Sequence, residues 1–353
     1  MLRTDMMINA GNAALHDWLR GLTDFSTAYC WQLARPVDGL MVGSMRFQHR
    51  SFEQEGHRLH ELMDQASGFR IIVDSLGAEP ISIARRRADD TWDGYLYRDG
   101  VISTPAEGWK NHATVMGYFV HRLKGEGTLY AGDQIRGGNH GFIRNKHFPD
   151  PDVLLGEDAT LSFFLASDQI QPGEYPRKVS MRLNYTLTDD CLDVVFVFQN
   201  EETDRPAHVS FGLHPGFSVS ALENARVILP KGRYRRYLAP GNFLSGETHS
   251  FESEGGPMSF KPFELPDSFL IEAVDVDNHV VRLLDFSSRH EVQIDLSEVP
   301  FFTLWSDLRP FICIEPCWGL PDHHDQEPFE KKLGIQLIPA KGTLTRRCSM
   351  RFR

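Results

Sequence analysis

Residues 178–200 read KVSMRLNYTLTDDCLDVVFVFQN, and this stretch decides the fold class. Apolar residues occupy every second position from Val179 to Leu187, an alternation that is typical of a half-buried β-strand. After the polar pair Asp189-Asp190, a second β-prone run follows in CLDVVFVFQN. The stretch therefore predicts two strands separated by turn-forming residues.

Similar β-prone runs recur from Gly68 to the end of the chain, separated by clusters of Gly, Pro, Asp and Asn. Few long helical patterns lie between them, so βαβ units and a parallel sheet are not expected. Many antiparallel strands over this length indicate one large domain. We therefore predict an all-β fold, a large antiparallel β-sandwich over residues 68–353. The runs are FRIIVD, EPISIARR, ARVILP, FLIEAVDV, HVVRLLDF, EVQIDL and FFTLW.

Residues 1–67 have a mixed character and are interpreted as a short, partly helical N-terminal extension of unknown role. The spacing of apolar residues between Ala14 and Leu22 predicts an amphipathic helix. A strand is expected at Gly39–Phe47, whereas Ser51–Gln65 is polar and helix-permissive. Charged residues interrupt the apolar stretch that a secretory signal needs, and no run approaches the roughly 20 apolar residues that span a bilayer.

The composition limits the classes of partner. The chain has 353 residues, 41% of them hydrophobic, and a formal net charge of −11. An acidic protein is a poor binder of nucleic acid or anionic membrane, so neither is expected as a partner. The oligomeric state stays open. An odd and scattered set of cysteines fits a reducing compartment, and we expect a cytoplasmic protein. The cysteines are Cys30, Cys191, Cys313, Cys317 and Cys348.

No metal or other cofactor is expected. Cys313 and Cys317 lie close together in CIEPC, but no further cysteine or histidine set completes a tetrahedral site. The pair is interpreted as two packing residues. Full activity is therefore expected after treatment with a chelator.

Polar residues that could bind a ligand concentrate in Trp109–Phe148. In a strand-rich protein such a segment forms loops and strand ends, where binding groups usually lie. The residues Gly137-Gly138-Asn139 predict a turn that presents His140. Arg122 lies in the same segment, within HRLK.

Two later segments carry single candidates. His214 lies in FGLHPGF, after a β-prone run and before a Pro-Gly turn that would hold its ring at a strand end. Asp267 comes just before the strand of PDSFLIEA. Taken alone, a lone histidine is more often structural, and an aspartate in this position is a turn former.

The sharpest candidate is Glu315, in PFICIEPCWGLPD (residues 310–322). It directly follows the apolar run Ile312-Cys313-Ile314, and burial raises the pKa of a carboxyl group. A raised glutamate pKa suits a general base near neutral pH. Trp318 offers a flat apolar face for a sugar ring.

Together these segments resemble the galactose mutarotase-like (aldose 1-epimerase) superfamily. The resemblance runs from about Gly68 to the end of the chain. It includes LGAEPISI, Trp109-Lys110, HRLK, NHGFIRNKHF, GEYPRKVSMRLNYTL, FGLHPGF and FICIEPCWGLPD, in the order that the family has them.

The resemblance implies the fold of that superfamily, a supersandwich, and an isomerase that interconverts the α and β anomers of a hexose. Glu315 would be the base that takes the proton of the anomeric hydroxyl, and His214 the acid that protonates the ring oxygen. His140 would hold the region of the ring oxygen, and Arg122 and Asp267 would bind sugar hydroxyls.

The sequence departs from the family pattern at three places near the site, one of which is Gly137-Gly138-Asn139, which replaces the usual residues ahead of His140. His121 stands where the family usually has glycine, and Cys317 stands where an aromatic residue is common, with Trp318 displaced by one position. These departures leave the identity of the sugar open.

Three other functions compete with this prediction. A hexose-phosphate 1-epimerase would need a basic phosphate site, for which Arg85-Arg86-Arg87 is the candidate. A carbohydrate-binding or regulatory sandwich would bind sugar without turnover. A glycoside hydrolase would need Glu315 paired with a second carboxylate, Asp267 or Asp322.

Overall fold

The computed structural model of the protein describes residues 46–258 and 261–353. The predicted helix between Ala14 and Leu22, most of the predicted strand Gly39–Phe47, and Cys30 lie outside the described residues.

Within these residues the chain forms 24 strands and seven short 3-10 helices. The strands are β1 Phe47–Gln54, β2 His57–Asp64, β3 Phe69–Asp74, β4 Glu79–Arg86, β5 Trp92–Gly94, β6 Ala113–Met116, β7 Gly127–Tyr130, β8 Asp133–Arg136, β9 Asp152–Leu155, β10 Ala159–Leu165, β11 Val179–Thr188, β12 Cys191–Asn200, β13 Ala207–Val209, β14 Phe211–Ser218, β15 Ala225–Ile228, β16 Lys231–Tyr237, β17 Thr248–Glu254, β18 Phe269–Val276, β19 Val280–Asp285, β20 Glu291–Asp295, β21 Phe301–Trp305, β22 Phe311–Trp318, β23 Gln336–Ile338 and β24 Thr343–Phe352. The 3-10 helices are Lys124–Glu126, Ile143–Asn145, Ser167–Gln169, Leu222–Asn224, Pro240–Asn242, Pro262–Asp267 and Phe329–Lys331. None of these helices has the length and apolar character needed to span a membrane.

Three sheets make up most of the fold. An 8-stranded sheet has the order β15-β19-β20-β24-β12-β11-β10-β9, and a 7-stranded sheet has the order β17-β16-β18-β21-β22-β14-β6. A 5-stranded sheet runs from β1 to β5 in sequence order, and β7-β8 and β13-β23 form two-stranded ribbons. All of these strand pairs are antiparallel, which confirms the predicted all-β antiparallel fold.

The predicted pair of strands at residues 178–200 is present as β11 and β12. Their ladder is unbroken from Val179 opposite Asn200 to Thr188 opposite Cys191. The alternating apolar side chains of β11 are fully buried. The Asp pair forms the turn, in which Asp189 has a φ of 46°. The local alternation of apolar and polar residues was sufficient to predict these strands, because one face of the hairpin packs against the core.

The core lies between the 8-stranded and 7-stranded sheets. Phe198 on β12 lies 4.6 Å from Phe211 on β14, measured between ring centroids. Trp318 at the end of β22 stacks on Phe211 at 4.9 Å. Successive side chains of a strand point to opposite faces. Every second residue of β14 and β22 therefore faces away from this core, and His214 and Glu315 are among them. Those residues form the site described below.

The interpretation of Ser51–Gln65 as helix-permissive is wrong. The segment forms the end of β1 and all of β2, and β2 pairs with β3 from Leu59 opposite Asp74 onward. Pairing with the sheet and burial of Leu59 and Leu62 outweigh the weak helical preference of the polar residues. The predicted boundary at residue 68 therefore divides a continuous sheet.

A buried histidine in this sheet makes stability depend on pH. His60 on β2 lies between the Ser51 and Ser75 hydroxyls, at 2.8 and 3.0 Å. Burial lowers the pKa of His60 to about 4. Below the pKa of about 6.5 in an unfolded chain, the unfolded state binds a proton that the folded state does not. The contribution of His60 to the free energy of unfolding is therefore lost as the pH falls from about 6.5 to about 4.

We expect His60→Gln to remove part of this pH dependence, on the order of 1 kcal/mol between about pH 7 and about pH 5. Denaturant unfolding of wild type and variant at several pH values measures it. His249→Gln, a change at an exposed histidine of β17, is the matched control. Equal pH dependence in the His60→Gln and wild-type proteins would contradict the assignment.

Candidate active site

Four polar side chains lie side by side across four adjacent strands. Thr114 on β6 is the ladder partner of His214 on β14, and Thr303 on β21 is the partner of Glu315 on β22. The register between β14 and β22 brings His214 opposite Glu315. All four residues are buried, with 1–5% of their surface exposed. The row therefore depends on strand pairing rather than on loop conformation.

His214 and Glu315 are in contact. The distance from His214 Nε2 to Glu315 Oε1 is 3.3 Å. Both side chains also present buried atoms, His214 Nδ1 and Glu315 Oε2, that have no hydrogen-bond partner among the described residues. The hydroxyls of Thr114 and Thr303 are unpartnered in the same way. Buried polar atoms are normally hydrogen-bonded, so this row is suited to a ligand that carries several hydroxyl groups.

The two central groups have opposite pKa shifts with one cause. Burial raises the pKa of Glu315 well above its usual range. Burial lowers the pKa of His214 to about 3. Desolvation disfavours the charged form of each group, so the pair holds one proton and carries no net charge. The predicted rise in the pKa of Glu315 agrees with this direction.

Two tryptophans hold the imidazole of His214. Trp109 stacks on it with the ring centroids 5.1 Å apart and an interplanar angle of 24°. Trp305 meets it edge-on at 5.6 Å. Trp109 can lie this close because Gly216, two residues along β14, has no Cβ, and a Cβ there would collide with the indole ring. The ring of His214 therefore has a fixed orientation.

His140 completes the same side of the site. Its ring lies 5.0 Å from that of His214, nearly perpendicular to it. The backbone of His140 has a φ of 65° and is held on both sides, since its N–H donates to the His121 carbonyl at 2.7 Å and its carbonyl accepts from the Gly117 N–H at 3.2 Å. Burial lowers the pKa of His140 well below its usual range, and the nearby His214 contributes.

The turn that presents His140 lies further along the chain than predicted. Positive φ angles fall on His140 and Gly141 rather than on Gly137 or Gly138. A Cβ at Gly141 would collide with the Gly117 carbonyl, so the close approach of two loops fixes the turn. Turn chemistry alone could not show that approach.

A pocket with a volume of about 210 Å³ opens over this row. Four of the predicted site residues line it: His214, Glu315, His140 and Arg122. Arg122 is exposed and forms no side-chain hydrogen bond or ion pair with other described residues, so it is free to bind a ligand. Most of the remaining lining is polar and includes Asn111, Asn139, Arg144, Asn242 and Ser268. Such a lining suits a polar ligand better than an aliphatic one.

The role predicted for Trp318 is wrong. Its side chain is fully buried on the core face of β22, and its indole N–H donates to the Glu298 carbonyl at 2.8 Å. Glu315 and Trp318 are three positions apart, so strand alternation points them to opposite faces. Trp109 and Trp305 line the pocket instead. The alternation of FICIEPCW could have excluded Trp318 from the sequence.

Asp267 is also outside the pocket. It ends the 3-10 helix Pro262–Asp267 and its side chain is exposed, whereas the next residue, Ser268, lines the pocket. The structure therefore gives no support to Asp267 as a group that binds hydroxyls. Thr114, Thr303 and Trp305 line or adjoin the pocket and were not predicted, although Thr303 and Trp305 share one face of the predicted strand FFTLW.

Two cysteines share the pocket face of β22 with Glu315. Cys317 Sγ lies 3.7 Å from His121 Nε2. His121, Glu315 and Cys317 have ligand atoms that all lie within 4.8 Å of one another, and so do His214, Cys313 and Glu315. These two groups are the ones in the described residues with the composition and spacing to hold a metal ion.

Comparison with known proteins identifies the family of the chain. The sequence profile of the aldose 1-epimerase family matches residues 66–347. No curated protein matches the chain at a significant level.

Solved structures show the same fold. A galactose mutarotase related enzyme from Lactobacillus acidophilus has a TM-score of 0.71 and 21% identity, over 87% of this chain and 97% of that chain. A galactose mutarotase-like protein from Lactobacillus casei has a TM-score of 0.68 and 19% identity, over 87% and 100%. A galactose mutarotase-like protein from Clostridium acetobutylicum has a TM-score of 0.67 and 14% identity, over 87% and 98%. The predicted mutarotase-like sandwich is confirmed.

Proposed function

The chain belongs to the aldose 1-epimerase family, and on that premise we propose that it interconverts the α and β anomers of a hexose by acid–base catalysis. The observation that carries the proposal is the buried contact between His214 and Glu315, at 3.3 Å in a polar pocket. Polarimetry of freshly dissolved α-glucose and α-galactose, corrected for the spontaneous rate, tests it. The absence of acceleration across a panel of free hexoses would overturn it.

The proposed reaction requires Glu315 and His214 to lie close together. Glu315 takes the proton of the anomeric hydroxyl while His214 gives a proton to the ring oxygen, so the ring opens. The two oxygens are bonded to one carbon, and the acid and the base must therefore lie side by side. Rotation about C1–C2 and ring closure on the other face return both protons. A positioned acid and base each contribute about 10²–10⁴-fold, so no cofactor is needed.

One shared proton is sufficient for this cycle. The reactive state needs an ionised Glu315 and a protonated His214, and the neutral pair contains the same number of protons. Sugar hydroxyls bound at the unpartnered Glu315 Oε2 and His214 Nδ1 would favour the charged form by hydrogen bonding. Binding of the substrate therefore prepares the proton transfer.

Arg122 has a binding role in this scheme. We expect Arg122→Ala to raise KM about tenfold with little change in kcat, because a hydrogen bond from a charged group contributes about 1.5–3 kcal/mol and the hydroxyls it holds change little during ring opening. Initial rates at varied sugar concentration measure the two constants separately. A fall in kcat at unchanged KM would instead assign Arg122 to the chemical step.

Arg86→Ala is the matched control, and it also tests the alternative of a phosphorylated substrate. Arg86 is exposed on β4 and does not line the pocket. Its neighbours are engaged elsewhere, since Arg85 donates to the Phe352 carbonyl and Arg87 pairs with Asp93. The arginine triplet therefore gives no support to a phosphate site, and Arg86→Ala should leave the rates with hexose and hexose phosphate unchanged.

The glycosidase alternative is disfavoured by the composition of the pocket. Glu315 is the one carboxylate that lines it among the described residues, and such hydrolases use two. The non-catalytic alternative is an outcome of the Glu315 experiment described below.

We further infer from the acidic charge and scattered cysteines that the protein acts in the cytoplasm on a small sugar, without nucleic acid or membrane as a partner.

A further inference from the structure

A second set of side chains, His121 and Cys317, meets at Glu315. His121 Nε2 and Cys317 Sγ are 3.7 Å apart. A tetrahedral zinc ion with bonds of about 2.1 Å to nitrogen and about 2.3 Å to sulfur would place these two atoms about 3.6 Å apart. A carboxylate oxygen of Glu315 lies within 4.8 Å of both. The nitrogen and sulfur already have the spacing of metal ligands. Rotation of the Glu315 side chain can bring a carboxylate oxygen, the third ligand, within bonding distance of the ion.

The burial and charge of these groups favour a cation. His121, Glu315 and Cys317 are 9%, 1% and 0% exposed, and Glu315 Oε2 has no partner among the described residues. A divalent cation bound by one thiolate, one carboxylate and one neutral imidazole gives a site with no net charge. Such a site avoids the cost of an unpaired buried charge.

We propose that His121, Glu315 and Cys317 bind a thiophilic divalent cation, of which zinc is the type, and that an occupied site stops turnover. Binding releases to solvent the thiol proton of Cys317 and the proton that Glu315 shares with His214, and it forms the metal–sulfur and metal–carboxylate bonds with no change of oxidation state. His121 and Glu315 line the pocket, so a water molecule from the pocket would take the fourth position. The inhibitory part rests on the proposed function, because it follows from the loss of Glu315 as a base.

The second group, His214 with Cys313, competes for the same carboxylate. It would hold the ion between the acid and the base. We assign the ion to His121 and Cys317 because their donor atoms have the required contact. The two assignments differ in which cysteine supplies the sulfur, and that difference can be measured.

Cobalt is the probe for the binding site. The full-length protein with Cys30→Ser, freed of metal by a chelator, is titrated with Co²⁺. We expect one equivalent to produce a thiolate-to-cobalt charge-transfer band. Histidines outside this site, such as His323 and His324, cannot produce this band, because they have no sulfur.

The variants identify the ligands. Cys317→Ser should abolish the band, and His121→Asn should weaken Co²⁺ binding more than about tenfold. Asn is chosen because it tolerates the φ of 54° at this position. Cys313→Ser, and Cys348→Ser as the matched change at a buried cysteine of β24, should keep the band. A missing band in wild type, a band that survives Cys317→Ser, or a band lost only in Cys313→Ser would overturn the assignment.

The activity measurement is separate. The metal-free protein should be fully active, Zn²⁺ should inhibit it, and chelator should restore it, whereas Cys317→Ser should resist Zn²⁺. If the protein has no epimerase activity, the cobalt band still decides the binding site. Unchanged turnover with one bound zinc would overturn the inhibitory part alone. Activity that requires the added ion would overturn both that part and the metal-free mechanism.

Discussion

Replacing Glu315 with Gln is expected to slow anomer interconversion by about 10²–10⁴-fold while sugar binding stays nearly unchanged. Gln has the same size and its carbonyl oxygen still accepts a hydrogen bond from the anomeric hydroxyl, but it cannot take the proton. Polarimetry corrected for the spontaneous rate measures turnover, and calorimetry with the same sugar measures binding.

Asp267→Asn is the matched control for this change, because Asp267 is an exposed carboxylate next to a pocket residue but does not line the pocket. It should have wild-type rates. Near wild-type turnover in Glu315→Gln, with binding retained, would remove the base from the mechanism. A non-catalytic sugar-binding protein would then be the better description.

The second large effect is expected for His214→Asn, which removes the acid at the ring oxygen and should also slow turnover by about 10²–10⁴-fold. Because His214 Nε2 and Glu315 Oε1 are 3.3 Å apart and share one proton, the two losses should not add. The double variant should be about as slow as the slower single variant.

The fold of the His214 variants needs its own check, because the imidazole is stacked on Trp109. Tryptophan fluorescence and thermal unfolding measure whether Trp109 keeps its environment. A double variant slower by the product of the two single effects would show that the residues act independently, and the shared proton would then be wrong.

The strands were predictable where one face of a run is buried against the core. Alternation identified β11 and β12, but it could not place Ser51–Gln65, whose strand conformation depends on pairing with β3. Local patterns report burial, whereas the pairing partner of a polar strand is a tertiary property.

The candidate site was predictable as a set of residues but not as an arrangement. His214 and Glu315 are 101 positions apart in the sequence (315 − 214), and only the register between β14 and β22 brings them together. Trp318 was misassigned because nearness along the chain was taken for nearness in space. The place of Trp109 depends on the missing side chain of Gly216, a contact between distant loops and strands.

The row from Thr114 to Thr303 has a consequence for how the protein gains and loses its activity. Strand pairing places each of its four side chains on the pocket face of the sheet, and a slip of one residue in any of these strands would turn that side chain toward the core. Catalytic competence therefore reports the correct assembly of the sheet. A partly misassembled molecule would lack the site altogether rather than contain a weakened one. The activity recovered after refolding should therefore be proportional to the fraction of molecules in the native register.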